Sequence, residues 1–162
     1  MTGHFRNKTE RVNIMSDYII TYTKEHFNPL EPDAYKIKTE DIAHALSMMT
    51  RANGHFPGFY SVAQHCLDCE KEAEAENCSR RIRLACLLHD GSEAYISDIT
   101  RPVKKELKRY LSIEKILQDT IYRRFIPGGI VTEENTAVCR IDDAMLYYEF
   151  MHFVGEEVIT PK

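Results

Sequence analysis

The segment LACLLHDGSEAYISDITRPVK, residues 84–104, decides how this chain is read. Its first half is the most hydrophobic helix-like run in the sequence, and it ends on His89 and Asp90. A carboxylate there meets the negative end of the helix dipole, which disfavours it unless a cation lies nearby. Residues 97–102 then break the helical pattern, and Pro102 suits the first turn of a following helix.

Working outward from this stretch, the apolar residues keep a helical period. Ser79 is placed to cap the helix that contains Ile82, Ala85, Cys86 and Leu88, and Ser61 to cap a helix running to about Asn77. Before it, HFPGFY (55–60) holds a Pro and a Gly between aromatics and reads as a loop. An earlier helix starts with Thr39 as N-cap, carries Ile42, Leu46 and Met49 on one face, and stops near Ala52-Asn53-Gly54. Downstream, Ile113, Ile116, Leu117, Thr120 and Ile121 mark a long amphipathic helix that ends before Pro127-Gly128-Gly129. A last helix opens at Thr132, with Glu133 and Glu134 at its favourable N-terminal end and Val138, Ile141, Met145 and Tyr148 as its buried stripe.

Residues 1–16 are polar and unpatterned, whereas YIITYTKEHFN (18–28) is rich in β-branched and aromatic residues and runs into a turn cluster around Pro29 and Pro32. The expectation is an all-α fold, a single helical bundle with a short N-terminal β-hairpin. Residues 1–38 form an N-terminal extension and residues 39–162 the main domain, compact as one unit.

A content of 43% hydrophobic and 28% charged residues fits one globular core. The net charge of -4 supplies no field toward nucleic acid or an anionic membrane. Without an apolar leader or a run long enough to span a bilayer, a cytoplasmic protein is expected. The cysteines number five, an odd count that argues against a disulfide framework. Cys66 and Cys69 form a C-x-x-C inside a helical stretch that lacks the turn residues of a zinc knuckle, so they read as core thiols.

Three helices each direct metal-competent groups inward. His65 shares a face with Val62 and Cys69, His89-Asp90 ends its helix, and Asp142 lies beside Ile141 and Met145. Such groups are costly to bury unless paired or metal-bound. Two imidazoles and two carboxylates suit one divalent transition metal ion (Mn, Co, Ni, Fe or Zn) rather than an all-oxygen calcium cage. An ion so held lowers the pKa of water toward about 7 and polarises a phosphoryl oxygen. Taken singly, each residue has an ordinary alternative: a core histidine, an exposed Asp142-Asp143 pair, or a His-Asp dipeptide that arises by chance.

The order H…HD…D, with SVAQH ahead of it and HDGSEAYISDITRPVK after it, resembles the HD-domain phosphohydrolases. It is most similar to bacterial HD-domain 5′-deoxynucleotidases and related nucleotide hydrolases, over roughly Thr39 to Glu149. The resemblance implies an α-helical HD fold with metal ligands His65, His89, Asp90 and Asp142. Asp143 is the neighbour in register, and helical spacing to Met145 and Glu149 favours Asp142. By the same resemblance Glu93 activates or orients the attacking water, and Asp98 lies near the sugar or that water. Arg51 and Lys104 match cations for the substrate phosphate, a role that a planar guanidinium suits, and His55 adds a donor from its loop. Phe56, Phe59 and Tyr60 are placed either to stack a base or to anchor that loop.

The expected partner is a small-molecule nucleotide, either a nucleoside monophosphate cleaved to nucleoside and phosphate or a deoxynucleoside triphosphate, the latter with additional Mg. Resemblance also implies a homo-oligomer, with Ile113–Tyr122 the first place to look for an exposed apolar patch. Two other classes compete: a regulatory HD module that binds metal and nucleotide without catalysis, and a structural helical protein whose C-x-x-C holds zinc independently of His89.

Overall fold

Ser61 and Ser79 turn their hydroxyls onto the backbone amides of Gln64 (3.1 Å) and Ile82 (3.3 Å), and each starts the helix expected of it. In the computed structural model, which describes residues 17–160, the order begins with strands β1 (Ile19–Ile20) and β2 (His26–Phe27). Seven helical segments follow: α1 (Thr39–Met48), α2 (Val62–Ala75), α3 (Arg80–Leu88), single turns α4 (Glu93–Ile96) and α5 (Arg101–Lys104), α6 (Lys108–Phe125) and α7 (Thr132–Phe153). The fold is all-α with one short hairpin, in which Ile19 pairs with Phe27 and Ile20 with His26. The reading of residues 1–16 lies outside the described residues.

The core forms where α2, α3 and α7 pack on one another, with α1 and α6 closing the sides. Val62, Cys66, Cys69, Ala85, Cys86, Leu117, Ile121 and Ile141 are all essentially inaccessible. Phe27 and Ile37, from the segment before α1, are fully buried in the same core, and Phe27 packs on Tyr95 of α4. Burying side chains of this size contributes about 1.5–3 kcal/mol each, so the hairpin segment is tied to the bundle.

Residues 34–36 form a 3-10 turn ahead of α1. Several local expectations are corrected. Thr39 is the first helical residue of α1, capped by Lys38 without a side-chain bond. That helix stops at Met48, because the backbone turns away to bridge the start of α2: Arg51 N donates to Tyr60 O at 2.8 Å and Val62 N to Met49 O at 3.0 Å. Ile116 is half-exposed, and on α7 Tyr148 faces solvent while Glu149 is buried. Four residues on from Met145, Glu149 continues the inward row that Tyr148 leaves.

Candidate metal centre

The bridge that ends α1, the inward face of α2, the end of α3 and the middle of α7 converge on one point. His65 (α2, fully buried) and His89 (just after α3) face each other with their Nε2 atoms 3.1 Å apart. Asp142 Oδ1 lies 3.1 Å from His65 Nε2 and 3.7 Å from His89 Nε2, and Asp90 Oδ1 lies 3.4 Å from His89 Nε2. Each ring uses its other nitrogen elsewhere: His65 Nδ1 donates to Glu149 Oε1 at 2.5 Å and His89 Nδ1 to the Cys86 carbonyl at 2.6 Å. Both Nε2 atoms are thereby left to meet each other and two carboxylates.

Four donors so arranged repel unless a cation or a proton lies among them. Burial pushes the His89 pKa down, but the negative charge of Asp90 outweighs it, helped by Cys66 and Asp142, and holds it well above the usual histidine range. Burial likewise raises the carboxyl of Asp142, and its bonds to His65 and His89 overcome this and hold it well below the ordinary value. A proton on His89 and a metal ion therefore compete for one place.

The sulfurs of the C-x-x-C belong to the same cluster. Cys69 Sγ is 3.5 Å from His65 Nε2. The donors of His65, Cys69 and His89, and those of Cys66, His89 and Asp90, lie within 4.8 Å of one another, close enough to hold a metal ion. The sequence shows the relevant spacing, since residues 65 and 69 share a helix face. What it could not show is that His89 lies across from that face.

Arg51 enters from the 3-10 turn that follows α1. Its Nε lies 3.2 Å from Glu149, and its terminal nitrogens lie 3.5 Å from Asp90 Oδ2 and 3.4 Å from Asp142 Oδ1. Burial opposes the charge, but these three carboxylates keep the guanidinium ionised. To place Arg51 there, Ala52 and Asn53 adopt left-handed conformations (φ 52° and 54°), which cost about 1–3 kcal/mol for residues with a Cβ. Glu149 also faces the Tyr60 hydroxyl at 3.1 Å, and this hydroxyl lies 2.9 Å from Asp68.

A cavity of about 520 Å³ opens over Asp90 and Asp142. Its lining includes Arg51, Arg101 and Lys104, the carboxyls of Glu93 and Asp98, and apolar surface from Ile99, Leu146 and Phe150. Arg101 reaches Asp142 Oδ2 and Asp143 Oδ1, both at 3.1 Å. Lys104 is anchored 2.5 Å from Glu114 of α6 and also lines a second cavity, of about 410 Å³, which shares Asp90 and Asp142 with the first. Glu93 is buried, and its Oε2 has no hydrogen-bond partner. Burial, the charge of Asp90 and that of Asp98 push its pKa up to about 10.

The structure thus brings His65, His89, Asp90, Asp142, Arg51, Glu93, Asp98 and Lys104 to one place and leaves His55 exposed outside the lining of the cavity. Of the loop aromatics, Phe56 is buried against Phe150 and Phe153 and Tyr60 packs on Phe153, which anchors the loop, while Phe59 is exposed. Sequence reasoning missed Arg101, the two cysteines and Glu149 as members of the site.

The chain is an all-α bundle with a partly buried His, Cys and Asp cluster under a cation-rimmed cavity. No protein-family model matches the chain. It is 33% identical to the uncharacterized protein YfdR of Escherichia coli over 132 residues, covering 82% of this chain and 70% of that one. It is 39% identical to an uncharacterized protein of Rhodobacter capsulatus over 132 residues, covering 78% of this chain and 67% of the relative. The chain belongs to the family of these bacterial proteins.

Proposed function

We propose that the chain is a metal-dependent phosphohydrolase of the HD-domain class, acting on a nucleotide and in the first place on 5′-(deoxy)nucleoside monophosphates. One observation carries the reading: two imidazole Nε2 atoms, each fixed by a bond at Nδ1, meet Asp90 and Asp142 on the floor of a cavity rimmed by Arg51, Arg101 and Lys104.

His65, His89, Asp90 and Asp142 would hold a divalent ion. Two imidazole nitrogens and carboxylate oxygens are a donor set for Mn, Co, Ni, Fe or Zn. Bound there, the ion supplies Lewis-acid polarisation of a phosphoryl oxygen and a nucleophile at neutral pH. The chain does the rest. Arg101, exposed at the rim, and Lys104, half-buried, are cations that a phosphate can reach, and Arg51 offers a planar fork for two phosphate oxygens once its carboxylates are otherwise satisfied. Glu93, with one bare oxygen in the buried floor, is placed to hold or pass a proton beside Asp98. The cavity volume falls within the range of sites for small molecules, and its apolar wall suits a sugar and base.

The second cavity, which shares Asp90 and Asp142 with the first, favours a deoxynucleoside triphosphate as the alternative substrate, since a longer phosphate chain has room to extend past the donors. The test is phosphate release from a panel of nucleoside mono- and triphosphates with metal add-back, for the wild type, Asp90→Ala and Glu93→Ala. Inorganic phosphate from monophosphates, lost in both variants, is expected. Full activity in Asp90→Ala would sink the proposal. A wild type that binds metal but hydrolyses nothing across the panel would replace it with a regulatory module.

A further inference from the structure

We infer that the Cys69 sulfur is a direct ligand of the metal ion, which makes the resident ion a thiophilic one, zinc or a close relative such as cobalt, rather than manganese or magnesium. This deepens the reading of the metal centre above and rests on it.

The geometry points to sulfur. His65 and Cys69 lie one turn apart on α2, both buried, on the face turned to His89. For a tetrahedral ion with metal–nitrogen bonds of about 2.05 Å and a metal–sulfur bond of about 2.3 Å, the N···S edge is about 3.5 Å and the N···N edge about 3.3 Å. Between His65 and Cys69 the separation is 3.5 Å, and between His65 and His89 it is 3.1 Å. The remaining corner can be taken by a carboxylate. Asp142 Oδ1 lies 3.1 Å from His65 Nε2 and 3.7 Å from His89 Nε2, and Asp90 Oδ1 lies 3.4 Å from His89 Nε2, so either carboxylate named above can supply that corner. His65, Cys69 and His89 thus supply two nitrogens and one sulfur within 4.8 Å of one another, with an aspartate oxygen as the fourth donor.

Soft thiolate selects zinc, cobalt or iron over manganese and magnesium, which prefer oxygen. The binding step balances without an oxidant: the ion displaces the thiol proton of Cys69, which leaves to solvent, and the metal–sulfur bond forms with no change of oxidation state. Cys66 provides the internal comparison. Its sulfur is grouped with His89 and Asp90 but not with His65, so it is near the ion without sharing the tetrahedral edge.

Cobalt(II) added to the metal-stripped, full-length protein tests the inference by absorption. A sulfur-to-cobalt charge-transfer band in the near ultraviolet is expected for the wild type and for Cys66→Ser. Cys69→Ser should lose the band and bind cobalt at least about tenfold more weakly, since even outer-shell partners of a ligand are worth that much. Cys69→Ala, which adds no buried hydroxyl, replaces it if the serine variant does not fold. Visible cobalt bands that depend on His89 but come without charge transfer would overturn the sulfur ligand and leave the metal centre standing. Loss of the charge-transfer band in Cys66→Ser instead would also overturn it. No cobalt binding at all would remove the metal centre and this inference with it.

Discussion

Glu149 Oε1 accepts the Nδ1 proton of His65 at 2.5 Å, joining the last turns of α7 to the fully buried imidazole of α2. This bond fixes which nitrogen of His65 faces His89. The charge matters as well as the geometry. Burial raises the Glu149 carboxyl, and its bond to His65 and the Arg51 guanidinium overcome this and keep it ionised. Glu149→Gln keeps a carbonyl acceptor but removes the charge, and it should weaken zinc or cobalt binding by about 10–100-fold with little change in helix content. Competition against a coloured chelator measures this, and an affinity equal to that of the wild type would show that Glu149 only packs.

Glu93 predicts a pH dependence. Its pKa rises from the ordinary 4.5 to about 10, so the folded state binds this proton more tightly than the unfolded chain does. The stability it contributes is therefore complete below pH 4.5 and drains away as the pH climbs toward 10. Glu93→Gln has no proton to lose and should be more stable than the wild type at pH 8, by on the order of 5 kcal/mol, and equal to it near pH 4. Thermal unfolding of metal-stripped protein at the two pH values decides, and a variant destabilised equally at both would contradict the assignment. A divalent ion beside Asp90 should shrink the gain, because it cancels the repulsion that raises Glu93.

Ser97 sits at φ 66°, ψ 166°, a conformation that is essentially reserved for glycine. Its carbonyl accepts the Tyr110 hydroxyl at 2.6 Å, and the turn delivers Asp98 to the cavity. Since the strain arises from the Cβ, Ser97→Gly should raise stability by about 1 kcal/mol and leave substrate affinity unchanged. A lower melting temperature would mean that the serine side chain supports the turn.

These residues mark where sequence reading reaches and where it stops. Ser61 and Ser79 were legible because a cap is a bond to an amide three residues away, and the inward places of His65 and Asp142 followed from helical period alone. Glu149 was not legible as part of the site, because the partners that justify its burial, Arg51, Tyr60 and His65, lie 84 to 98 residues earlier in the chain. The cysteines were read as core thiols, and they are indeed buried, but their second property, proximity to His89, depends on how α2 packs against α3. The end of α1 was placed too late because the competing bonds come from residues 60–62, beyond the loop.

Arg51 is the internal counter-ion of the site, and it competes with any metal for Asp90 and Asp142. In metal-stripped protein, Arg51→Met leaves three buried or half-buried carboxylates facing one another, a loss of about 3–5 kcal/mol by the usual cost of breaking a buried ion pair. With zinc present, part of that negative charge is taken up by the ion, so the loss should be smaller. The variant should also bind zinc at least as tightly as the wild type, because no guanidinium has to be displaced, while phosphate as a competitive ligand should bind more weakly. Melting temperatures in chelator and in zinc, combined with a phosphate titration, separate these effects. An equal loss of stability in both conditions would mean that Arg51 and the metal do not share carboxylates, and the coupling between metal loading and a free guanidinium would have to be abandoned.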